Sequence, residues 1–422
     1  MKTGRHERLA PGQPGTAGRA LGGFYFLLFT SFGLFAPYIG LFLSRRGWRG
    51  QEVGLALFTL TATGFLGQFV FAFLADHAHR KRTIISLLAL ASGLAGTLLF
   101  LARGSLLFGL LALLGLVHRP LVPLTDSAVF DLLDGQREKY SRFRLFGSTG
   151  FIFASAVASL LVLPRLGLAG VFPVFGLTLL LAAVLPAWFE RPAAASRAPF
   201  SLAWLADRRI RGLALLMFLL EFASTAVQGY LGIYMDRFYA LPDGAVSLAW
   251  AIGVASELVL LVAAPRLLRR YSTRALLGAG GGAAALRYVF LSTTLATGSP
   301  RLFFVSQLLH GVYYGIFFAA ALGYLDACSP GHLRASIQAT VHALSTLAGL
   351  LLGYLVNGWV LDAFGLQCLF ALSGLFALAG VSLLFTGLLE DAERPLARPR
   401  GSSPGVIAPP RPTRRRRPRP CA

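Results

Sequence analysis

Twelve apolar runs of membrane-spanning length alternate with short polar connections along this 422-residue chain, near 21–43, 52–75, 83–102, 105–132, 142–164, 167–189, 210–236, 244–265, 275–297, 301–327, 334–360 and 365–388. A run of about 20 apolar residues crosses a bilayer as a helix at about 1.5 Å per residue. The runs stop at glycine, proline or charge, as at Arg46-Gly47, Arg103-Gly104, Pro242-Asp243-Gly244 and Gly298-Ser299-Pro300, where helices end and chains turn. The longest internal polar connection, 190–209, carries Pro192 and Pro199 and divides six runs from six. The pattern predicts an all-α polytopic membrane protein with twelve transmembrane helices in two six-helix halves, 21–189 and 210–388, joined by the linker 190–209. Residues 1–20 and the Pro/Arg-rich tail 389–422, which ends TRRRRPRPCA, lack the apolar content to build a core and are expected to be disordered.

The halves also look repeated. His118 precedes Arg142 by 24 residues and His310 precedes Arg334 by the same 24, each pair spanning a helix, a turn and the next helix start. QEVGLAL at 51–57 and DGAVSLAW at 243–250 open the second run of each half in a similar way. Such a duplication gives two pseudo-symmetric bundles able to rock against each other.

Composition agrees with the pattern: 55% of residues are hydrophobic, only 14% are charged and the mean hydropathy is +0.66, too apolar for a soluble domain. The formal net charge of +21 does not signal nucleic acid, because the basic residues sit in connections and in the tail. They concentrate before the first run, at Arg80 to Arg82, Arg137 to Arg142, Arg191 to Arg211 and Arg266 to Arg274, at Arg334 and in the tail, all on one side of the expected topology. The positive-inside rule makes that side cytoplasmic, puts both termini inside a cell inner (plasma) membrane, and leaves Arg45, Arg46 and Arg49 as exceptions in the first outer loop. The tail is expected to lie on anionic lipid. Cys328, Cys368 and Cys421 are far apart and lack metal-ligand spacing. The chain offers no phosphate-binding glycine loop with lysine, no metal cluster and no nucleophile motif, so no enzyme is expected.

Candidate chemistry lies in the few charges inside the apolar runs, because an ionisable residue there faces the bundle interior or a water-filled cavity. Asp126 and Arg144 are equidistant from Gly135 in the turn of a hairpin, so antiparallel helices bring them to one depth, roughly 13 Å from the bend. They are expected to meet, as substrate-binding residues or as a salt bridge that fixes packing or closes a gate. In the second half Glu221, Glu257, Arg287 and His310 interrupt successive helices, and each successive pair is centred on the intervening turn. All four are therefore expected near the midplane, where transporter sites form. Burial raises a carboxylate pKa and a nearby Arg lowers it, so a change of geometry makes such a group a proton carrier. Glu257 is the first candidate, with Arg287 and His310 as partners and Glu221 as the competing carrier. Gln307 and Tyr314 lie one turn either side of His310 on its face and join the substrate-binding set.

The segments FGLFAPYIGLFL, LADHAHRKR, PLVPLTD, RFRLFGSTGF, AWAIGVASELVL, LLRRYSTRALL, LRYVFLSTT and QLLHGVYYG carry a resemblance over about 21–388. The chain resembles the major facilitator superfamily (MFS), in the proton-symporter branch that is similar to phenylpropionate transporters and lactose permease. That resemblance implies the MFS fold, substrate recognition by Asp126 and Arg144, a role for Glu257 in both binding and coupling, and a coupling network containing Arg287 and His310. It implies a gating turn at Asp76, Arg80, Lys81 and Arg82, although His77 and His79 replace the usual Arg and Gly there. It departs from lactose permease where Tyr313 stands in place of a carboxylate one turn after the histidine, and Gln307 in place of a lysine before it.

The expected function is proton-coupled symport of a small organic solute (an aromatic carboxylate, sugar or nucleoside) by alternating access. The proton gradient is the driving force and no cofactor is required. The expected partners are that solute and the lipid bilayer, with no nucleic acid, and the expected state is a monomer. The alternatives are proton-antiport efflux of amphipathic compounds and a non-transporting sensor or scaffold on the same fold. Charges in both halves favour the symporter over the more apolar pocket of an exporter.

Overall fold

The computed structural model of the chain describes residues 15–77, 80–133, 140–189, 202–330 and 333–389. Residues 1–14, most of the linker and the tail from 390 lie outside the described residues, whereas residues 16–20, expected to be disordered, form the first turns of a helix that starts at Thr16.

Among the described residues the structure is helical throughout, as lipid demands of a chain whose every buried N–H and C=O must be satisfied internally. The first half comprises α1 (Thr16–Arg45), α2 (Gly50–His77), α3 (Lys81–Leu98), α4 (Gly104–Leu133), α5 (Arg142–Leu166) and α6 (Leu168–Trp188). The second comprises α7 (Arg208–Tyr239), α8 (Gly244–Arg270), α9 (Thr273–Thr297), α10 (Pro300–Cys328), and α11 (336–364) and α12 (366–385). Ten helices are long and apolar enough to cross a membrane among the described residues. Two expected runs fall outside that number for identifiable reasons. The α3 helix has 18 residues in all and opens with Lys81 and Arg82, which lower its mean hydropathy, and α11 and α12 form one 50-residue apolar stretch, Ser336–Phe385. At about 1.5 Å per residue that stretch is far longer than a bilayer, and Gly365 breaks it with φ +80, a conformation open chiefly to glycine.

The six-helix repeat reappears in the packing. In the first half α1 packs on α5 and α6, α2 on α4, and α3 on α6; in the second α7 packs on α11 and α12, α8 on α10, and α9 on α12. Each pairing recurs six helices later. Two ends of the second-half helices are capped in the usual way: Asp207 accepts the Arg209 N–H at 2.8 Å to start α7, and Ser272 accepts the Ala275 N–H at 3.2 Å to start α9.

The halves meet through α1 on α7, α2 on α11 and α5 on α8. The hydrogen bonds and ion pairs that join described residues across them cluster at the end bearing the α1–α2 and α7–α8 turns. Arg45 reaches Asp236 at 2.7 Å and Asp243 at 2.6 Å. Asp362 of α11 accepts the N–H groups of Gly50 at 2.7 Å and Gln51 at 2.8 Å, which begin α2. Tyr38 hydrogen-bonds Ser247, and Ser159 donates to the Gly244 carbonyl at 3.2 Å. The α1 and α7 backbones approach so closely at Gly40 that a Cβ there would lie 1.9 Å from the Gly229 carbonyl oxygen. This end of the molecule is shut.

Among the described residues, helices are interrupted at 36–38 in α1, 119–120 in α4, 183–184 in α6 and 307–308 in α10, the last followed by a π-helical turn at Val312–Phe317. Interruptions of this kind within a membrane are tolerated where protein covers them or a cavity adjoins them.

Candidate functional site

The packing of α8, α9 and α10 brings three of the four residues expected near the midplane into one chain of contacts. Arg287 Nη2 donates to Gln307 Oε1 at 2.5 Å, and Arg287 Nη1 lies 3.1 Å from His310 Nδ1. His310 Nε2 lies 3.7 Å from Glu257 Oε2. A guanidinium has only donors, so Nδ1 accepts and the ring proton sits on Nε2, facing the carboxylate. The interruption of α10 helps to place the ring: the freed Gly311 N–H is taken by Ser256 Oγ of α8 at 3.0 Å, one residue before Glu257. Arg287 is buried with its Nε unpaired.

Glu221 joins this region from another side. Tyr313 donates to its Oε1 at 3.1 Å, and Ser224 Oγ lies 3.1 Å from its Oε2. Gln228 Nε2 donates to Ser224 at 2.7 Å and to the Tyr314 hydroxyl at 3.3 Å, while the Tyr314 ring stands 4.4 Å from the His310 ring, centre to centre. Two linked groups result, Glu257–His310–Arg287–Gln307 and Glu221–Tyr313–Ser224, with Gln228 and Tyr314 between them.

In the opening hairpin, Asp126 and Arg144 do not form the expected contact. Asp126 Oδ1 accepts from the Tyr25 hydroxyl and from Tyr140 at 2.9 Å, and Arg144 stacks over the Phe29 ring at 4.8 Å. Equal depth did not give equal bearing: the tyrosines of α1 and of the α5 start occupy the carboxylate's side, and α1 aromatics occupy the arginine's.

In the candidate gating turn, Lys81 is buried and pairs with Asp131 at 2.6 Å while donating to Ser127 at 2.7 Å, and Arg82 donates to the carbonyls of Ala187 at 3.2 Å and Phe189 at 3.0 Å. Arg80 is exposed. The Asp76 side chain and residues 78–79 lie outside the described residues. The described contacts tie α3 to α4 and α6 of its own half.

A cavity lies between the halves, walled by Phe32, Phe35 and Phe175 from the first and Trp250 and Tyr354 from the second, with His118, Arg119 and Gln228 also lining it. None of Asp126, Arg144, Glu257, Gln307 or Tyr314 lines it. Gln228 connects it to the network, since Tyr354 donates to Gln228 Oε1 at 3.4 Å and Gln228 donates to Tyr314. Sequence reading missed Arg119, Trp250 and Tyr354 as site residues. The available signal was Arg119 itself, a charge in mid-segment, because an ionisable residue within a span faces the bundle interior or a cavity.

The profile of the MFS_1 like family matches residues 19–372. The probable 3-phenylpropionic acid transporter of Escherichia coli is 30% identical over 371 residues, covering 82% of this chain and 94% of the relative. Maltose permease of Geobacillus stearothermophilus is 26% identical over 380 residues, covering 88% and 94%. Among solved structures, a variant of the nucleoside transporter NupG matches with a TM-score of 0.79 at 15% identity, covering 87% of this chain and 98% of that one, a likeness of fold.

Proposed function

We propose, from the premise that this chain belongs to the MFS_1 like family and is a multi-pass membrane transporter, that it carries out proton-coupled symport of a small organic solute by alternating access. The observation that carries the reading is the Glu257–His310–Arg287 chain of contacts, joined through Tyr314 and Gln228 to the cavity between the halves. A carboxylate within reach of an imidazole and, beyond it, a guanidinium holds or releases a proton as their distances change, so movement of one half against the other alters its charge. Two side-chain hydrogen bonds at Gln228 link the cavity to Tyr314, whose ring stands against His310, the neighbour of that carboxylate.

Orientation follows from charge. With the basic connections inside, both termini are cytoplasmic, the protein lies in the inner membrane, and the end shut by Arg45 and Asp362 faces out. Relatives named for 3-phenylpropionic acid and maltose support a solute of the aromatic carboxylate or sugar class, with nucleosides as the third class. Arg144 and Asp126 remain proposed contacts for the solute in a state where they face the path, the first suited to a carboxylate and the second to a hydroxyl.

The test is uptake into proteoliposomes across aromatic acids, sugars and nucleosides, with and without an imposed pH gradient. Symport predicts accumulation only when the outside is more acidic, with alkalinisation of the external medium on solute addition. Accumulation driven by the opposite gradient would establish antiport instead, and solute flux indifferent to the gradient would remove the proton from the mechanism.

A further inference from the structure

Arg119 is a charge that the coupling network leaves unused. It lies near the middle of α4, where the helix ends at His118 and resumes at Leu121. Pro120 and Pro123 have no N–H, so the carbonyls four residues earlier, of Leu116 and Arg119, lose their helical donors. Both the side chain and the loosened backbone therefore sit at the depth where ligand sites form.

Other described charges inside the spans have partners. Asp126 has two tyrosines, Glu221 has Tyr313 and Ser224, Glu257 faces His310, Arg287 has Gln307 and His310, and Arg144 lies over Phe29. No hydrogen bond or ion pair joins the Arg119 guanidinium to another described residue, yet it lines the cavity. A cation at mid-membrane depth without an anion is costly, and a planar fork of donors matches a carboxylate in two parallel hydrogen bonds. Trp250, another lining residue, also has a donor without an acceptor, its buried indole Nε1. Beside the polar His118 and Gln228, the rest of the wall is apolar and comes from both halves, with Phe32, Phe35 and Phe175 on one side and Trp250 and Tyr354 on the other among aliphatic side chains. Such a wall suits a flat apolar body better than a sugar, whose hydroxyls would outnumber the acceptors on offer.

We propose that the cavity between the halves binds an aromatic monocarboxylate, with its carboxylate on the Arg119 guanidinium and its ring against the aromatic wall. In the state described, Arg119 then supplies the anion site expected from sequence at Arg144. The proposal rests on reading the cavity as the solute site but not on proton coupling, so it is tested by binding, without a membrane or a gradient.

Purified full-length protein in detergent is titrated calorimetrically with phenylacetate and cinnamate, and with phenylacetamide and cinnamamide, which keep ring and shape but carry no charge. The unmodified protein should prefer each acid to its amide by roughly 10- to 100-fold, the scale of hydrogen bonds to a charged group. Arg119→Gln should abolish that preference, and Arg119→Lys should restore part of it. Equal affinity for acid and amide in the unmodified protein overturns the proposal whether or not any variant folds. So does failure to bind either acid, or loss of the acid preference in Arg144→Gln with its retention in Arg119→Gln. Absence of pH-driven uptake with acid binding intact would instead overturn the symport reading alone.

Discussion

Tyr313 stands one turn beyond His310, where lactose permease-like symporters place a carboxylate, and its hydroxyl donates to Glu221 Oε1 at 3.1 Å. Helix α7 thus brings an acid to the place where α10 lacks one. Two carboxylates compete as proton carrier, and their surroundings differ: Glu257 is partly exposed and faces only His310, whereas Glu221 is buried and held by Tyr313 and Ser224. A carrier must exchange its proton with water, which favours Glu257. Glu257→Gln should abolish pH-driven accumulation in proteoliposomes while sparing protein level and solute exchange, and Glu221→Gln should still accumulate solute. The reverse pattern would move the carrier to α7. Depth read from sequence put Glu257, His310 and Arg287 at one height, since equal distance from a turn fixes height in antiparallel helices, and in the structure these three lie in one chain of contacts. Bearing around the helix is not fixed in that way, which is why Glu221 ended on Tyr313, and Asp126 on Tyr25 and Tyr140 rather than on Arg144. Two of the three expected outer-loop exceptions to the charge rule, Arg45 and Arg46, also have structural partners. Arg45 is engaged by Asp236 and Asp243, and Arg46 donates to the carbonyls of Phe100 at 2.6 Å and Ala102 at 3.0 Å, so these charges serve structure.

Among the helices, boundaries were largely legible in the apolar runs, including the division of α11 from α12 around Gly365. The interruptions were not. An apolar run stays apolar through a break, so hydropathy is blind to it, and proline is common enough in membrane helices that Pro37 and Pro120 do not by themselves announce one. The cavity beside the α1 and α4 interruptions was missed for the same reason. Contact between α1 and α7 makes a sharper prediction. A side chain at Gly40 has no room against the Gly229 carbonyl, so Gly40→Val should hold the shut end apart. Spin labels on the α1–α2 and α7–α8 turns, in a background without the native cysteines, should lie farther apart in this variant than in the parent. An unchanged distance would mean that the helices slide past the obstruction. At the start of α7, burial disfavours ionisation of Asp207, but the hydrogen bonds from Arg209 outweigh it and hold the carboxyl below the usual carboxylate range. A depressed folded-state pKa stabilises above the unfolded value and is lost as pH falls through the folded one. Asp207→Ala should therefore lower thermal stability at neutral pH, by about 1 kcal/mol for a lost helix cap, and by less in acid.

For the whole molecule, two bundles related by a shift of six helices, shut at one end and enclosing a cavity, are the geometry of a protein that opens alternately to either side. Which side is which rests on the basic connections. A single cysteine placed in the tail should resist a membrane-impermeant reagent in intact cells and react after permeabilisation; labelling in intact cells would invert the topology. The shut end has a further property, because the helix start at Gly50 borrows its cap: Asp362, which accepts the first two N–H groups of α2, belongs to the other half. When the halves part there, α2 keeps its sequence and its lipid contacts but loses its terminal acceptor, and its leading amides turn to water. The first turn of α2 is then a built-in reporter of the direction the transporter faces. Hydrogen–deuterium exchange at Gly50 and Gln51 should be slow in the form described and fast in Gly40→Val, so one peptide would record the balance between the two states under any solute or pH.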